Sequence, residues 1–235
     1  MTLRYLPIYL PIFVVLYLGL YVDGVLEKQW LSNLLVFVNF LWVYRRVSHS
    51  MKRLMLYGVV IAFGGEVVFS LLLGMYHYRL DNIPIYVPLG HAVLYASVAY
   101  MAKEPWLHKH ETRILYWLYR IMIGYSFLWL LFANDVLGFL CLLVILLVFH
   151  YRPQSKRYFL LMFFMVVYLE LLGTYFGCWT WAKVWFDVFT FVPSANPPSA
   201  ISVFYFAFDA GCLWLYKKRH PIAWKRFRKR RKSLS

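Results

Sequence analysis

Long apolar segments dominate this chain and limit the folds that it can adopt. Hydrophobic residues make up 63% of the sequence and charged residues only 15%, a balance far from that of a soluble domain. A predominantly apolar segment of about 20 residues can cross the roughly 30 Å hydrocarbon layer of a bilayer as a helix. The sequence therefore predicts an all-α integral membrane protein. We place eight transmembrane helices near residues 5–22, 29–44, 54–76, 84–102, 114–133, 136–150, 157–177 and 199–216. Seven spans, with one short segment in the interface, is the alternative.

The charges between these segments alternate along the chain. Basic residues follow every second segment, and acidic or mixed residues follow the others. The positive-inside rule then places the basic connections and both termini in the cytoplasm. It predicts a multi-pass protein of a bacterial-type inner or plasma membrane. The basic connections carry Arg45, Arg46, Lys52 and Arg53, then Lys103, Lys109 and Arg113, then Arg152, Lys156 and Arg157.

Residues 217–235 form a basic cytoplasmic tail after the transmembrane bundle of residues 1–216, and they supply much of the net charge of +15. Trp224 and Phe227 lie within this tail. Basic residues mixed with aromatic ones beside a membrane favour contact with anionic lipid headgroups. We therefore predict the lipid bilayer as a partner, and we do not expect nucleic acid.

Two halves of the chain, residues 1–104 and 113–216, resemble each other. Aligning Gly74 with Gly177 superposes Tyr76 on Trp179 and Tyr78 on Trp181. Each segment precedes a pair of prolines four residues apart and then the last span of its half. The glutamates Glu66 and Glu170 are offset by one position in this alignment. Four spans per half would make this a parallel repeat.

Four ionisable side chains lie inside the apolar segments: Glu66, His91, Glu170 and Asp209. Ionisable groups at membrane depth are costly and are therefore candidates for function. We predict that these four catalytic candidates line one cavity in the outer half of the membrane, with Tyr95 and Tyr205 as hydrogen-bonding neighbours. The alternative is that neutral carboxyl groups and a lone histidine only hold helices together.

Aromatic and amide side chains near the outer ends of the spans are candidates for substrate binding. Rings at this level are also typical of an interfacial belt, and both interpretations remain open. The candidates are Tyr76, Tyr78, Tyr95, Trp179, Trp181, Tyr205 and Asn196.

The remaining polar groups suggest acid–base chemistry. Neither a metal site nor a cofactor is predicted, because His77 and His150 lie at opposite edges of the membrane and no phosphate-binding glycine loop occurs. A carboxylic acid in an apolar cavity is a competent proton donor. With a second carboxylate or an imidazole, it could hydrate or isomerise a carbon–carbon double bond of a lipid-soluble substrate.

The stretch from Glu66 to Met101 resembles the membrane-embedded carotenoid hydratases of the bisanhydrobacterioruberin-hydratase type. The residues that carry the resemblance are Glu66, then Gly74-Met-Tyr76-His-Tyr78, then Ile83-Pro84 and Val87-Pro88. That family has a glutamate followed by Gly-x-Tyr-x-Tyr and a proline-containing helix. The resemblance implies roles for Glu66, Tyr76, Tyr78, Pro84 and Pro88, and an isoprenoid or carotenoid substrate.

Three hypotheses follow for function. The first is a membrane enzyme that acts on an isoprenoid or another lipid. The second is a small transporter in which Glu66, Glu170 and Asp209 bind protons or cations. The third is a non-catalytic scaffold. A polar path open to both faces would favour transport, whereas a pocket closed at one end would favour the enzyme.

Overall fold

The structure is a computed structural model that describes residues 3–186, 188–222 and 224 of the chain. Each of the eight predicted segments contains a helix, which confirms the all-helical class. The helices are α1 (Leu6–Gly24), α2 (Gln29–Arg46), α3 (His49–Glu66), α4 (Tyr86–Met101), α5 (Pro105–Lys109), α6 (Glu111–Ala133), α7 (Val136–Tyr151), α8 (Lys156–Tyr175) and α9 (Ser202–Arg219). The short α5 was not predicted.

Four helical stretches in the described part of the chain are long and apolar enough to cross a membrane. They are Leu6–Gly24, His49–Leu72, Glu111–Ala133 and Pro153–Tyr175. Apolar helix α7 is shorter. These helices are consistent with a membrane protein.

Consecutive long helices pack together as α1–α2, α3–α4, α6–α7 and α8–α9. Their connections also meet, since the Ser48 N–H donates to the Tyr100 hydroxyl, Arg157 bonds to Glu111, and the Tyr216 hydroxyl donates to Ser50. The two groups of four meet where α3 packs on α9 and α4 packs on α8. The predicted basic connections therefore share one end of the bundle, here called the basic end. The opposite end is here called the hairpin end. The basic tail beyond Trp224 lies outside the described residues.

The hairpin end carries four short strands that the sequence did not predict. Strand β1 (Tyr76–Tyr78) pairs antiparallel with β2 (Trp179–Trp181), and β3 (Val184–Trp185) pairs with β4 (Phe189–Pro193). Gly74 and Gly177 precede β1 and β2 with φ of +58° and +73°. Glycine adopts this left-handed conformation without steric cost. It lets each chain turn from the end of a helix into a strand.

Asp23 and Asp135, which the sequence predicts to lie in connections between helices, are buried at the hairpin end. Asp23 accepts hydrogen bonds from Arg79 at 2.8 Å and from Tyr86 at 2.6 Å. The bond to Asp23 raises the pKa of Arg79, so this guanidinium stays charged and paired. Asp135 caps α7 and accepts bonds from the backbone N–H groups of Gly138, Ala195 and Ser199. The hydrogen bonds to these carboxylates hold the loops of the hairpin end against the helices.

Candidate functional site

Glu66 is the last residue of α3, and its carboxyl group is almost fully buried, with 3% of the residue exposed. The hydroxyl groups of Tyr76 and Tyr78, on β1, each donate to Glu66 Oε2 at 2.7 Å. His91 Nε2, on α4, lies 3.3 Å from Glu66 Oε1. Burial of a carboxyl group requires such partners. One helix, one strand and the next helix therefore supply a complete set of contacts.

Glu170, on α8, has a matching set of partners. The indole N–H groups of Trp179 and Trp181, on β2, donate to Glu170 Oε2 at 2.9 and 3.0 Å. The hydroxyl group of Tyr205, on α9, donates to Glu170 Oε1 at 3.1 Å. Each glutamate thus binds two aromatic donors from the strand that follows it and one ring from the last helix of its group.

Pairing of the two strands brings these sets together. Tyr76 pairs with Trp181, His77 with Thr180 and Tyr78 with Trp179. The ring centroids of Tyr76 and Trp181 are 4.7 Å apart. Residues more than 100 positions apart in the sequence therefore form one layer of rings between the two carboxyl groups.

A stretch of π-helix accounts for the unequal spacing of the two glutamates. Gly74 follows Glu66 by eight positions, whereas Gly177 follows Glu170 by seven. Val67–Leu72 directly after Glu66 is π-helical, while α8 continues as an α-helix to Tyr175. A π-helical turn closes over one residue more than an α-helical turn. The π-helical segment accommodates the extra residue of the first half. Both carboxyl groups can therefore contact the rings of the strand that follows them.

Small residues adapt each half to the size of its rings. A Cβ atom added at Gly173 would lie 2.0 Å from the indole of Trp179, so any other residue there would displace this ring. The aligned position of the first half holds Ser70, whose hydroxyl donates to the Tyr76 carbonyl at 3.1 Å. In the second half, the larger indole of Trp179 thus packs on a glycine. In the first half, Tyr76 has the smaller phenol, and the aligned position holds a serine.

His91 and Tyr205 connect the two carboxyl groups across the interface. Their rings stack with centroids 4.6 Å apart, while one contacts Glu66 and the other donates to Glu170. The rings of Phe208 and His91 make an edge-to-face contact with their centroids 5.5 Å apart. Gly65 permits this approach, because an added Cβ atom would lie 2.3 Å from the Phe208 ring.

A cavity of about 70 Å³ lies among these groups. This volume holds several water molecules but is far below the roughly 300–1,000 Å³ of a drug-sized site. Its walls come from the half of the bundle nearest the hairpin end. The lining includes Glu66, Tyr76, Tyr78, His91, Glu170, Trp179, Trp181 and Tyr205, together with Phe69, Phe204 and Phe208.

The donor types make the two carboxyl groups chemically different. An indole N–H can only donate, and Glu170 accepts two of them on one oxygen and a hydroxyl on the other. Two of the three partners of Glu170 therefore cannot reverse their hydrogen bonds. Tyrosine hydroxyl and imidazole groups can donate or accept, so the partners of Glu66 tolerate it with or without a proton. Glu66 is therefore the group suited to proton transfer.

The prediction that all four ionisable groups share one cavity is wrong for Asp209. It lies one helical turn beyond Tyr205 along α9, outside the cavity lining. Tyr158, on α8, donates to it at 2.6 Å. Tyr95 was predicted to contact the site, but it packs against the Tyr158 ring at 6.1 Å and does not line the cavity. Asp209, Tyr95 and Tyr158 form a separate buried group.

Two predictions about the outer aromatic and amide residues also need correction. Tyr76, Tyr78, Trp179 and Trp181 do not form an interfacial belt, since each is at most 9% exposed and bonds to a carboxyl group. Asn196 does not line the cavity; its side-chain oxygen accepts from the Trp181 backbone N–H at 3.0 Å. Asn196 therefore positions the strand rather than the cavity itself.

Sequence reasoning missed several residues of the site. Phe69, Phe204 and Phe208 line the cavity but carry no polar group that would distinguish them from other apolar residues. Tyr86 lines it too and donates to Asp23. One available signal was the pair Gly64-Gly65 directly before Glu66, since small residues mark close helix approach in membranes.

Searches against protein-family models, curated proteins and solved structures find no match for this chain.

Proposed function

We propose that this protein is an integral-membrane enzyme that transfers a proton to or from a carbon–carbon double bond of a lipid-soluble substrate. The observation that carries the proposal is the pair formed by Glu66 and His91 on the wall of an aromatic cavity opposite Glu170. A carboxyl group and an imidazole within reach of each other can share and relay a proton. The surrounding rings offer an apolar surface for an alkene.

The residues divide the reaction between them. Glu66 gives its proton to one alkene carbon, so the π electrons form the new C–H bond and the other carbon becomes cationic. The carboxylate of Glu170 and the nearby rings stabilise that charge. In hydration, a water oxygen bonds to the cationic carbon and one water proton returns to the pair of Glu66 and His91. In isomerisation, the pair instead removes a proton from the adjacent carbon, and the electrons of that bond form the shifted double bond.

The size of the cavity indicates a substrate that enters only in part. About 70 Å³ accommodates a reacting segment, and the remainder of a long apolar chain would lie in the bilayer. Phe69 on the π-helical segment and Phe204 on α9 touch at 5.0 Å and are only half-buried. Substrate would pass sideways between these two elements. An isoprenoid or carotenoid suits this route, in agreement with the resemblance carried by Glu66, Tyr76 and Tyr78.

We also propose how the helices around the site lie in the membrane. All eight long helices span the membrane as two parallel groups of four, related by an approximate two-fold axis through the pairing of His77 with Thr180. The basic end faces the cytoplasm of a bacterial-type inner or plasma membrane, because its connections hold most of the lysine and arginine residues. The cavity then lies in the outer half of the bilayer.

A transporter is supported less well by this geometry. The cavity walls belong to the half of the bundle nearest the hairpin end, and the packing of α3 on α9 and of α4 on α8 lies between them and the basic end. A path open to both faces would need polar groups along that packing. Asp209, one helical turn beyond Tyr205 on α9, is bonded to Tyr158.

Expression in a host that makes acyclic carotenoids tests the proposal. Extracts should contain a carotenoid heavier by one water molecule, or an isomer of unchanged mass, that the empty host lacks. Glu66→Gln should abolish this product, because an amide keeps the shape but has no transferable proton. Asp209→Asn is the matched control, since it changes a buried carboxyl group outside the cavity and should leave the product. Equal product from Glu66→Gln at equal protein level would contradict the proposal.

A further inference from the structure

Two carboxyl groups, those of Glu66 and Glu170, lie on the wall of the cavity. Glu66 Oε1 lies 3.3 Å from His91 Nε2, so one of these carboxyl groups already has an imidazole partner. Glu170 accepts three hydrogen bonds and donates none as a carboxylate. A cation bound in the cavity would favour the ionised form of Glu170.

Among the cavity-lining residues of the described chain there is no lysine or arginine. Arg79 directly follows β1, and it forms a salt bridge with Asp23 at 2.8 Å. Lysine and arginine residues of the basic end lie on the far side of the bundle. A negative charge in an apolar cavity gains most from a positive ligand, because the local dielectric constant is low.

The walls determine which kind of cation fits. The hydrogen-bond donors of Tyr76, Tyr78, Trp179 and Trp181 are directed at the carboxyl groups, so few free acceptors exist for a strongly hydrated ion. Aromatic rings attract weakly hydrated cations through their π electrons, and alkylated ammonium groups are recognised in this way. A compact head of that kind matches a cavity of about 70 Å³.

We propose that this cavity binds alkylated ammonium compounds with a compact cationic head and an apolar tail, with Glu170 as the counter-charge. The proposal rests on the proposed function only in that the same carboxyl group, Glu170, would stabilise a cationic intermediate. It concerns binding alone, and it holds or fails without turnover.

Equilibrium binding of dodecyltrimethylammonium to the protein in lipid nanodiscs tests the proposal. Empty nanodiscs of the same lipid correct for partitioning into the bilayer. The comparison ligand is the carbon isostere, in which a quaternary carbon replaces the nitrogen. The protein should retain the cation above the empty discs and should retain the isostere at least about tenfold more weakly. Equal retention of the two ligands would overturn the proposal without the need for any variant.

Variants assign the counter-charge. Glu170→Gln should weaken binding of the cation about tenfold or more, whereas Asp209→Asn should bind like the wild type. Unchanged affinity in folded Glu170→Gln would contradict the assignment. Cation binding by a protein that forms no new lipid product would remove the enzymatic proposal and leave this one standing.

Discussion

At the scale of single residues, the site depends on which groups can only donate a hydrogen bond and which can both donate and accept one. Tyr76 and Trp179 occupy aligned positions and bond to aligned carboxyl groups, but only the phenol can reverse its hydrogen bond. Both carboxyl groups are thus held by rings from the following strand, but the bonds that Trp179 and Trp181 make to Glu170 cannot be reversed.

A substitution at Gly173 tests how closely the rings and the small residues are matched. Gly173→Ser copies Ser70 of the first half, and we expect it to destabilise the protein by about 1–3 kcal/mol, because its Cβ atom overlaps the Trp179 ring. The double variant Gly173→Ser/Trp179→Tyr should recover at least half of that loss. Thermal unfolding in detergent measures both. A double variant no more stable than the single one would show that the two positions are independent.

At the scale of secondary structure, the π-helical segment Val67–Leu72 is the feature that lets unequal sequences form equal sites. A one-residue insertion in an α-helix would otherwise rotate all later residues by about 100°. The sequence alignment showed this insertion only as an offset between Glu66 and Glu170. The reason for the offset lies in backbone hydrogen bonding, which the sequence does not display.

Deletion of Val68 tests this interpretation. It gives the first half the Glu-to-Gly spacing of the second half and should convert the segment to a regular α-helix, leaving the protein folded. Deletion of Leu171, at the matching place in α8, should instead rotate the residues that follow Glu170 and abolish folding. The amount of monodisperse protein extracted from membranes measures both outcomes. Similar losses in the two deletions would refute the assigned role of the π-helical segment.

The extent of what could be predicted differs between these elements. Apolar length and alternating loop charge predicted the eight long helices, because both act locally along the chain. Glu66, His91 and Glu170 were found because a buried charge is costly wherever it occurs. The strand pairing of Tyr76 with Trp181 joins positions over 100 residues apart, so no local pattern reveals it. Asp209 was misassigned because depth in a span does not specify which neighbouring helix supplies its partner.

At the scale of the whole molecule, the alternating loop charges predict which end of the bundle faces the cytoplasm. Exposed cysteines test it, because the three native cysteines are buried. Asn134→Cys and Lys183→Cys, at the hairpin end, should react with an impermeant maleimide on intact cells. His49→Cys, Lys109→Cys and Gln154→Cys should react only after the membrane is permeabilised; all five positions are exposed. Labelling of His49→Cys and Gln154→Cys from opposite sides would contradict the eight-span topology.

Proton transfer to carbon is the central claim, and solvent deuterium measures it most directly. The protein in nanodiscs is incubated in heavy water with an acyclic carotenoid or a polyprenol, and the recovered lipid is examined for deuterium bound to carbon. The wild type should introduce deuterium, Glu66→Gln should do so at least about 100-fold more slowly, and Asp209→Asn should match the wild type. Incorporation no faster than in empty nanodiscs, or equal rates in the wild type and Glu66→Gln, would contradict the account.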